Sequence, residues 1–320
     1  MKVRNDAFDA VKGFLIVLVV LGHVLLGSIN ENLNREIIYF FHMPLFLAIT
    51  GFFISEKVIH LSLFNIIKKY WDRLIIPYLV AFVFYTFLIF YFSGEFFSFK
   101  YLVSKILYPY YHLWYIPAVI LFVFYLKLLD FLYKKWEVIF YVLLLLFFMI
   151  SVFFESYGQS DISEKLIYII FGDKRFYYFF FYFYTGYFLS KNKINIPIDI
   201  VIVVFVVSVM GYGNTSLNIL SGFGKVIANI SIIYLVIKSC SSEFSIRYKS
   251  TIFSIIGRLS LPIYLWHVAP LLVLKSFHLS NEIYYSISVI VFVCCVFILR
   301  KLEGKNKHID LLVFGKIQNP

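Results

Sequence analysis

The sequence predicts an all-α integral membrane protein, a bundle of about ten transmembrane helices with both termini in the cytoplasm. Hydrophobic residues make up 62% of the 320-residue chain and charged residues only 15%, and the mean hydropathy is +0.86. A soluble domain is about a quarter charged, so this chain has too little polar surface to cover a globule in water. Its apolar residues also form segments close to the length of about 20 residues that a helix needs to cross a bilayer.

Ten apolar segments account for the predicted helices, with a rise of about 1.5 Å per residue. They are 8–29, 37–55, 74–93, 112–133, 138–155, 175–192, 197–213, 217–238, 252–277 and 282–300. The fifth to seventh segments are short or rich in aromatic residues, so nine or eleven spans are the alternatives. Segment 56–73 mixes basic with aromatic and aliphatic residues, which predicts an amphipathic helix at the membrane interface.

The positions of the basic residues predict the orientation of these spans. With the N-terminus in the cytoplasm, 21 of the 29 Lys and Arg residues fall on the inner side, 7 on the outer side and Lys225 within a span. Cytoplasmic segments of membrane proteins show such an excess of cations, and an odd number of spans would remove it. We therefore expect one transmembrane domain over residues 1–320 in the inner (cytoplasmic) membrane, with no appended soluble domain.

The net charge and the cysteines exclude two other classes of protein. The net charge of +11 follows from the excess of cytoplasmic cations, so we expect no nucleic-acid partner. The three cysteines, Cys240, Cys294 and Cys295, form neither a disulfide framework nor a metal-binding spacing. We expect no metal site.

The first span carries polar residues, which are costly inside a bilayer and therefore informative. From Lys12 to His23 the helix completes about three turns and rises about 16 Å, so both side chains lie on one stripe, with Asp9 close to it. The stripe combines an acid and a base at the cytoplasmic end with an imidazole deep in the membrane. The alternative is structural, with Asp9 and Lys12 forming an ion pair and His23 bonding a neighbouring helix.

Three more histidines fall at compatible depths in other predicted spans. His42 lies in the second span, His112 opens the fourth, and His267 lies in the ninth. The ninth span also places polar residues at i, i+4 and i+7, namely Ser260, Tyr264 and His267. Several buried histidines at similar depth favour a polar cavity. Lys225 in the eighth span needs a partner, a water-filled cavity or an anionic ligand.

Five motifs in order resemble those of the acyltransferase 3 family and cover most of the chain. Residues 9–13 (DAVKG) and 21–23 (LGH) are similar to its first-helix pattern of an acid, a basic residue and a histidine. The others are residues 41–46 (FHMPLF) with 51–53 (GFF), 73–78 (RLIIPY), 112–115 (HLWY) and 260–267 (SLPIYLWH). Lys12 replaces the arginine of many members, as in the branch resembling fucose 4-O-acetylases, which keeps the charge but loses a bidentate fork.

The resemblance implies an O-acyltransferase that moves an acyl group, usually acetyl from acetyl-CoA, to a hydroxyl of an extracytoplasmic or lipid-linked glycan. Acetyl-CoA would be a donor substrate, with no permanently bound cofactor. His23 would act as general base or transient acyl carrier, with Asp9 and Lys12 beside it. The expected ligands of the donor phosphates are Lys12, Lys68, Lys69, Arg73 and Arg258. The expected acceptor residues are His42, His112, Trp114, Tyr115, Lys225, Ser260, Tyr264 and His267.

Other functions fit parts of the sequence. In a transporter or flippase for a polysaccharide or its lipid-linked precursor, the intramembrane histidines and Lys225 would form a substrate path or proton relay. The sequence shows no two-fold hydropathy repeat of the kind such transporters carry. A structural scaffold would leave the aligned histidines without a role. Among acyltransferases, a branch resembling polysaccharide-intercellular-adhesin modifiers implies succinyl as the alternative acyl group.

Overall fold

The computed structural model describes residues 5–29, 31–93, 98–157, 172–213, 218–242 and 251–316. The regular secondary structure of these ranges is helical, and no strand occurs in them. This confirms the predicted all-α class.

The described residues of the N-terminal part form seven helices and one π-helical turn. They are α1 (Asp6–Val24), α2 (Leu33–Phe52), α3 (Glu56–Ile59), α4 (Leu63–Tyr70), the π turn (Trp71–Ile75), α5 (Ile76–Ser93), α6 (Phe99–Leu107) and α7 (Tyr115–Lys135). Side-chain caps fix two of the starts: Asn5 accepts a hydrogen bond from the Ala7 N–H at 2.9 Å, and Ser98 accepts one from the Tyr101 N–H at 3.1 Å.

The C-terminal part of the described chain contains ten further helices. They are α8 (Glu137–Tyr157), α9 (Arg175–Tyr178), α10 (Phe180–Lys191), α11 (Ile198–Tyr212), α12 (Asn218–Ser241), α13 (Ile252–Arg258), α14 (Ser260–Trp266), α15 (Val268–Lys275), α16 (Asn281–Leu302) and α17 (Lys307–Phe314). Thr251 and Ser254 form a reciprocal capping box that starts α13.

Within the described ranges, six helical stretches are long and apolar enough to cross a membrane. They are Asp6–Val24, Leu63–Phe92, Tyr115–Lys135, Glu137–Tyr157, Asn218–Ser241 and Asn281–Leu302. A seventh arises if the bent pair Ile252–Arg258 and Ser260–Lys275 forms one span. The chain is thus a multi-pass membrane protein. Each of the ten predicted segments contains helix, but the count of ten spans and the cytoplasmic termini stay predictions.

The helix predicted over 56–73 is not continuous, and its position at the membrane interface stays a prediction. Residues 56–59 form the short α3, and α4 begins separately, with Ser62 capping it by accepting a hydrogen bond from the Asn65 N–H at 3.3 Å. α4 then continues through the π turn into α5 as one stretch of 30 residues. Pro77 lacks the N–H that would bond the Arg73 carbonyl, and loss of that bond accounts for the widened turn before it.

The chain divides into two compact units, each discontinuous in sequence. The first unit comprises Met1–His42, Ile67–Ile116 and Glu243–Pro320, and the second comprises Met43–Ile66 and Pro117–Ser242. In the first unit α1 and α13 cross in backbone contact, because a Cβ on Gly13 would meet the Phe253 carbonyl and one on Gly257 the Asp9 carbonyl. The prediction of a single domain over 1–320 stays a prediction.

The second unit is built around aromatic packing and its own close helix contact. A Cβ on Gly51 of α2 would meet the Phe183 carbonyl, and one on Gly186 of α10 the Ala48 carbonyl. The fully buried Phe180 and Phe183 rings lie 5.6 and 5.4 Å from the Phe122 ring of α7. The aromatic residues of this part of the sequence therefore serve as packing material.

Candidate active site

The first helix carries the polar stripe that the sequence predicted. The Lys12 ammonium lies 2.7 Å from the Asp9 carboxylate as an i,i+3 ion pair at the start of α1. His23 occupies the last turn of the same helix, about 16 Å further along its axis. The two ends of α1 thus present charged and imidazole groups at separate depths.

Three histidine rings from distant parts of the sequence meet at the far end of α1. The His23 ring centroid lies 5.2 Å from that of His267 and 6.0 Å from that of His112, and the last two lie 4.8 Å apart. All three belong to the first unit. His112 and His267 are buried and His23 is partly buried. We call His23, His112 and His267 the histidine cluster.

Backbone carbonyls hold the two buried rings of the histidine cluster. His267 Nδ1 lies 3.0 Å from the Ile263 carbonyl and 2.9 Å from that of Tyr264, and His112 Nε2 lies 3.2 Å from the Leu265 carbonyl. Because a carbonyl only accepts, each of these nitrogens is the protonated one, which fixes the tautomer. Nε2 of His267 is left as an acceptor, buried and with no hydrogen-bond partner among the described residues.

The helix that carries His267 is bent about two turns before it, between Arg258 and Ser260. The axes of Ile252–Arg258 and Ser260–Lys275 meet at 68°. Pro262 cannot donate to the carbonyl four residues earlier, that of Arg258, and the break falls there. The bend therefore lies on the N-terminal side of Pro262.

His112 follows a strained backbone residue and packs against two tyrosine side chains. Tyr111, just before it, has φ +40°, a left-handed conformation that is costly for a bulky residue and is found at functional sites. The Tyr264 ring lies 5.1 Å from the His112 ring and the Tyr85 ring 5.3 Å from it. The Tyr264 hydroxyl accepts a hydrogen bond from the Tyr115 N–H at 3.3 Å.

Tyr85 is a site residue that the sequence did not indicate. It is fully buried in α5, and its hydroxyl accepts a hydrogen bond from the Ala269 N–H at 3.0 Å. This bond ties α5 to the helix that follows His267. A single tyrosine in an apolar, aromatic span carries no signal of such a role.

His42 lies beside the histidine cluster rather than within it. Its Nδ1 donates to the Ile38 carbonyl at 2.6 Å, and its ring lies 5.0 Å from the Tyr39 ring. Tyr39 packs on α1, because a Cβ on Gly22 would meet its ring 2.9 Å away. His23 interacts electrostatically with His42 as well as with His267.

The predicted donor-binding cations lie on several elements of the first unit. Lys68 and Lys69 are exposed on α4, Arg73 is exposed in the π turn, and Arg258 is exposed at the end of α13. The contact of Gly257 with the Asp9 carbonyl brings Arg258 to the Lys12 end of α1. Trp114 is buried with its ring 6.2 Å from that of Tyr115, and Ser260 is partly buried at the start of α14.

Lys225 belongs to the second unit, where it has a protein partner. Its ammonium lies 2.8 Å from the Glu155 carboxylate of α8, and the Tyr182 hydroxyl donates to the other carboxylate oxygen at 3.4 Å. Sequence reasoning missed Glu155, which stands alone in an apolar segment. A substrate-binding role for Lys225 stays a prediction.

The described residues contain no group of three or more His, Cys, Asp or Glu side chains arranged to hold a metal ion. A neutral imidazole can take a proton from a hydroxyl and return it to a leaving group.

The fold and this site define a helical multi-pass membrane protein with imidazole groups gathered between its helices. The acyltransferase domain model of the acyltransferase 3 family matches residues 5–300. The chain therefore belongs to the acyltransferase 3 family, which confirms the resemblance of its motifs.

Two curated relatives match a shorter part of the chain. The nodulation protein NolL of Sinorhizobium fredii (strain NBRC 101917 / NGR234) is 41% identical over 83 residues, which are 24% of this chain and 23% of the relative. NolL of Mesorhizobium japonicum (strain LMG 29417 / CECT 9101 / MAFF 303099) is 35% identical over 83 residues, 24% of this chain and 22% of the relative. The matched segment thus spans about a quarter of each relative. No solved structure matches the chain.

Proposed function

We propose that this protein is an O-acyltransferase of the inner membrane that transfers acetyl from acetyl-CoA to a hydroxyl of a cell-surface or lipid-linked glycan. The observation that carries the proposal is the histidine cluster, in which His23, His112 and His267 lie within 6.0 Å of one another in a chain of the acyltransferase 3 family. A hydroxyl needs a base to become a nucleophile near neutral pH, and imidazole is the side chain best suited to that task.

In the proposed reaction His23 is the general base. A ring nitrogen of His23 takes the proton of the acceptor hydroxyl while the hydroxyl oxygen attacks the thioester carbonyl carbon. The C–S bond then breaks, and the imidazolium returns its proton to the thiolate of CoA. Nε2 of His267, fixed as an acceptor by the carbonyls at its other nitrogen, orients the hydroxyl by accepting its hydrogen bond or that of a neighbour.

The length of α1 suits a donor that enters from the cytoplasmic side. The phosphates of CoA require cations, and Lys12 and Arg258 lie at one end of this helix while His23 lies about 16 Å away at the other. The pantetheine arm would cover that distance and bring the thioester to the histidine cluster. Lys68, Lys69 and Arg73 are the further donor ligands in this proposal.

The acceptor would reach the histidine cluster from the opposite end of α1. Tyr264, Tyr115 and Trp114 lie beside His112 there, and aromatic rings provide apolar faces for sugar rings. His42 borders the same region. Transfer across the membrane then needs no movement of the glycan through it, because only the acyl group passes.

The test is acyl transfer by the purified protein with labelled acetyl-CoA and a membrane fraction containing lipid-linked glycans. His23→Gln should lower the transfer rate about 10²–10⁴-fold, because it keeps volume and hydrogen bonding but removes the titratable nitrogen. His308→Gln, at an exposed histidine of α17, is the matched control and should leave the rate unchanged.

The thermal transition of both variants is measured alongside, because loss of a buried polar group can destabilise the bundle. Normal transfer by His23→Gln at unchanged stability would contradict the assigned base. Translocation of a labelled glycan lipid without any acyl transfer would instead favour the transporter.

A further inference from the structure

Two basic side chains lie near His23 at the end of α1 that faces away from Lys12. They are Arg35, in the first turn of α2, and Lys275, the last residue of α15. The helix that Lys275 ends packs against α1, and Arg35 bonds the loop that follows α1, so both cations lie at the His23 end of that helix. Lys275 is exposed there and Arg35 is partly buried.

Arg35 is held in a defined place. One guanidinium nitrogen, Nη1, donates to the Gly27 carbonyl in the loop after α1. The guanidinium carbon lies 5.5 Å from the centroid of the Tyr39 ring, in a cation–π contact. Since Tyr39 packs on α1 at Gly22 and against His42, the guanidinium is fixed to the same framework as the histidine cluster.

Beyond the bond of Nη1 to Gly27, the structure shows no hydrogen-bond acceptor for either cation within the described part of the chain. The Arg35 Nε atom is buried and has no hydrogen-bond acceptor there. Neither Arg35 nor Lys275 has a carboxylate within ion-pair distance among those residues. The carboxylate of nearby Glu31 accepts a hydrogen bond from the Ser28 N–H at 3.0 Å instead.

We propose that Arg35 and Lys275 bind an anionic group, a phosphate or a carboxylate, on the glycan acceptor at the entrance to the histidine cluster. The planar guanidinium matches the paired oxygens of either group, and the ammonium supplies the second charge. The anion site follows from the geometry, whereas its assignment to the acceptor rests on the proposed function. An acceptor anchored in this way would carry its reacting hydroxyl to His23.

The experiment measures binding of defined probes to the full chain in nanodiscs of neutral phosphatidylcholine. Farnesyl diphosphate supplies phosphate, octyl glucuronide supplies carboxylate, and octyl glucoside is the neutral counterpart. Arg35→Gln and Lys275→Gln should each weaken binding of the anionic probe about tenfold or more and leave octyl glucoside unchanged. Whichever anionic probe shows this effect identifies the source of the charge.

Lys105→Gln is the matched control. Lys105 lies on α6 with its ammonium over the Tyr101 and Tyr110 rings, at 5.1 and 5.4 Å, so its charge is placed elsewhere. It should bind all three probes like the unaltered protein. Arg35→Lys keeps the charge but loses the paired N–H donors of the guanidinium. Partial retention of anion binding in this variant tests the site even if Arg35→Gln destabilises the fold.

Three results would overturn the site: unchanged binding of both anionic probes in the Gln variants, an equal loss for octyl glucoside, or complete displacement of the anionic probes when phosphatidylglycerol is added to the nanodiscs. The last result would assign the pair to bilayer headgroups. Because binding is read without acyl transfer, selective anion binding in a protein that transfers no acetyl would reject the proposed function and keep the site.

Discussion

At the scale of single residues, the buried histidines are oriented by the backbone next to them. His42 and His267 each donate from Nδ1 to the carbonyl four residues earlier in their own helix, those of Ile38 and Ile263. A histidine within a span can thus satisfy one nitrogen locally and present the other in a fixed tautomer. Such a histidine can be part of the packing and still act as a base, because the hydrogen bond that holds the ring also sets which nitrogen accepts a proton.

The ion pair of Lys225 and Glu155 allows a test at the same scale. Both side chains are largely withdrawn from solvent, so removing one partner leaves an uncompensated charge, at a cost of about 3–5 kcal/mol. Lys225→Met should therefore lower the thermal transition of the protein strongly. Exchanging the charges, with Lys225→Glu and Glu155→Lys together, should recover much of the loss.

Acetyl transfer measured on the charge-exchanged protein separates the two roles of Lys225. A structural pair predicts recovery of both stability and transfer. Recovered stability with transfer still abolished would show that the ammonium acts on a substrate, as the sequence suggested.

At the scale of the elements, local patterns were predictable and contacts between distant segments were not. The stripe of α1 follows from helical periodicity, and the polar face of Ser260, Tyr264 and His267 from spacing alone. That His23, His112 and His267 meet depends on how α1, the segment before α7 and the bent α13–α15 helices pack, which no single segment encodes. The roles of Tyr85 and Glu155 also depend on such contacts. Each is one polar residue in an apolar span, and its own segment does not indicate its partner.

The break in the helix predicted over 56–73 was missed for a different reason. Composition identifies an amphipathic segment but does not show where its backbone breaks. Here a serine cap, Ser62, separates α3 from α4, and Pro77 in the first turn of α5 converts the regular helix before it to a π turn. Both signals are single residues, and their effect depends on the helix around them.

The crossing of α1 and α13 gives the prediction at this scale. A Cβ on Gly257 would meet the Asp9 carbonyl, which belongs to rigid helical backbone, so Gly257→Ala should separate the helices and cost about 1–3 kcal/mol. Gly211→Ala on α11 is the matched control, because its Cβ would meet nothing nearer than 3.9 Å and alanine favours helix. Thermal unfolding in detergent compares the two. Equal stability of both variants would contradict the close crossing.

At the scale of the whole molecule, one compact unit contains nearly every residue that the sequence singled out. The three stretches of the first unit include the histidine cluster, His42 and all five predicted donor cations, while Lys225 belongs to the second unit. Residues that are up to about 260 positions apart in the chain are thereby gathered by a few helix crossings. The functional proposal consequently depends on the orientation of this unit in the membrane.

That orientation is the last prediction, and it follows from the distribution of cations. With 21 Lys and Arg residues assigned to the inner side and 7 to the outer side, the loop after α1 should face outward and the turn before α17 inward. In a background without Cys240, Cys294 and Cys295, a cysteine at Asn32 should react with a membrane-impermeant maleimide on intact cells. One at Lys305 should react only after the membrane is opened. Labelling of Lys305→Cys from outside would place the end of α16 on the outer face, and the Lys12 end of α1 would no longer share a side with the C-terminal cations.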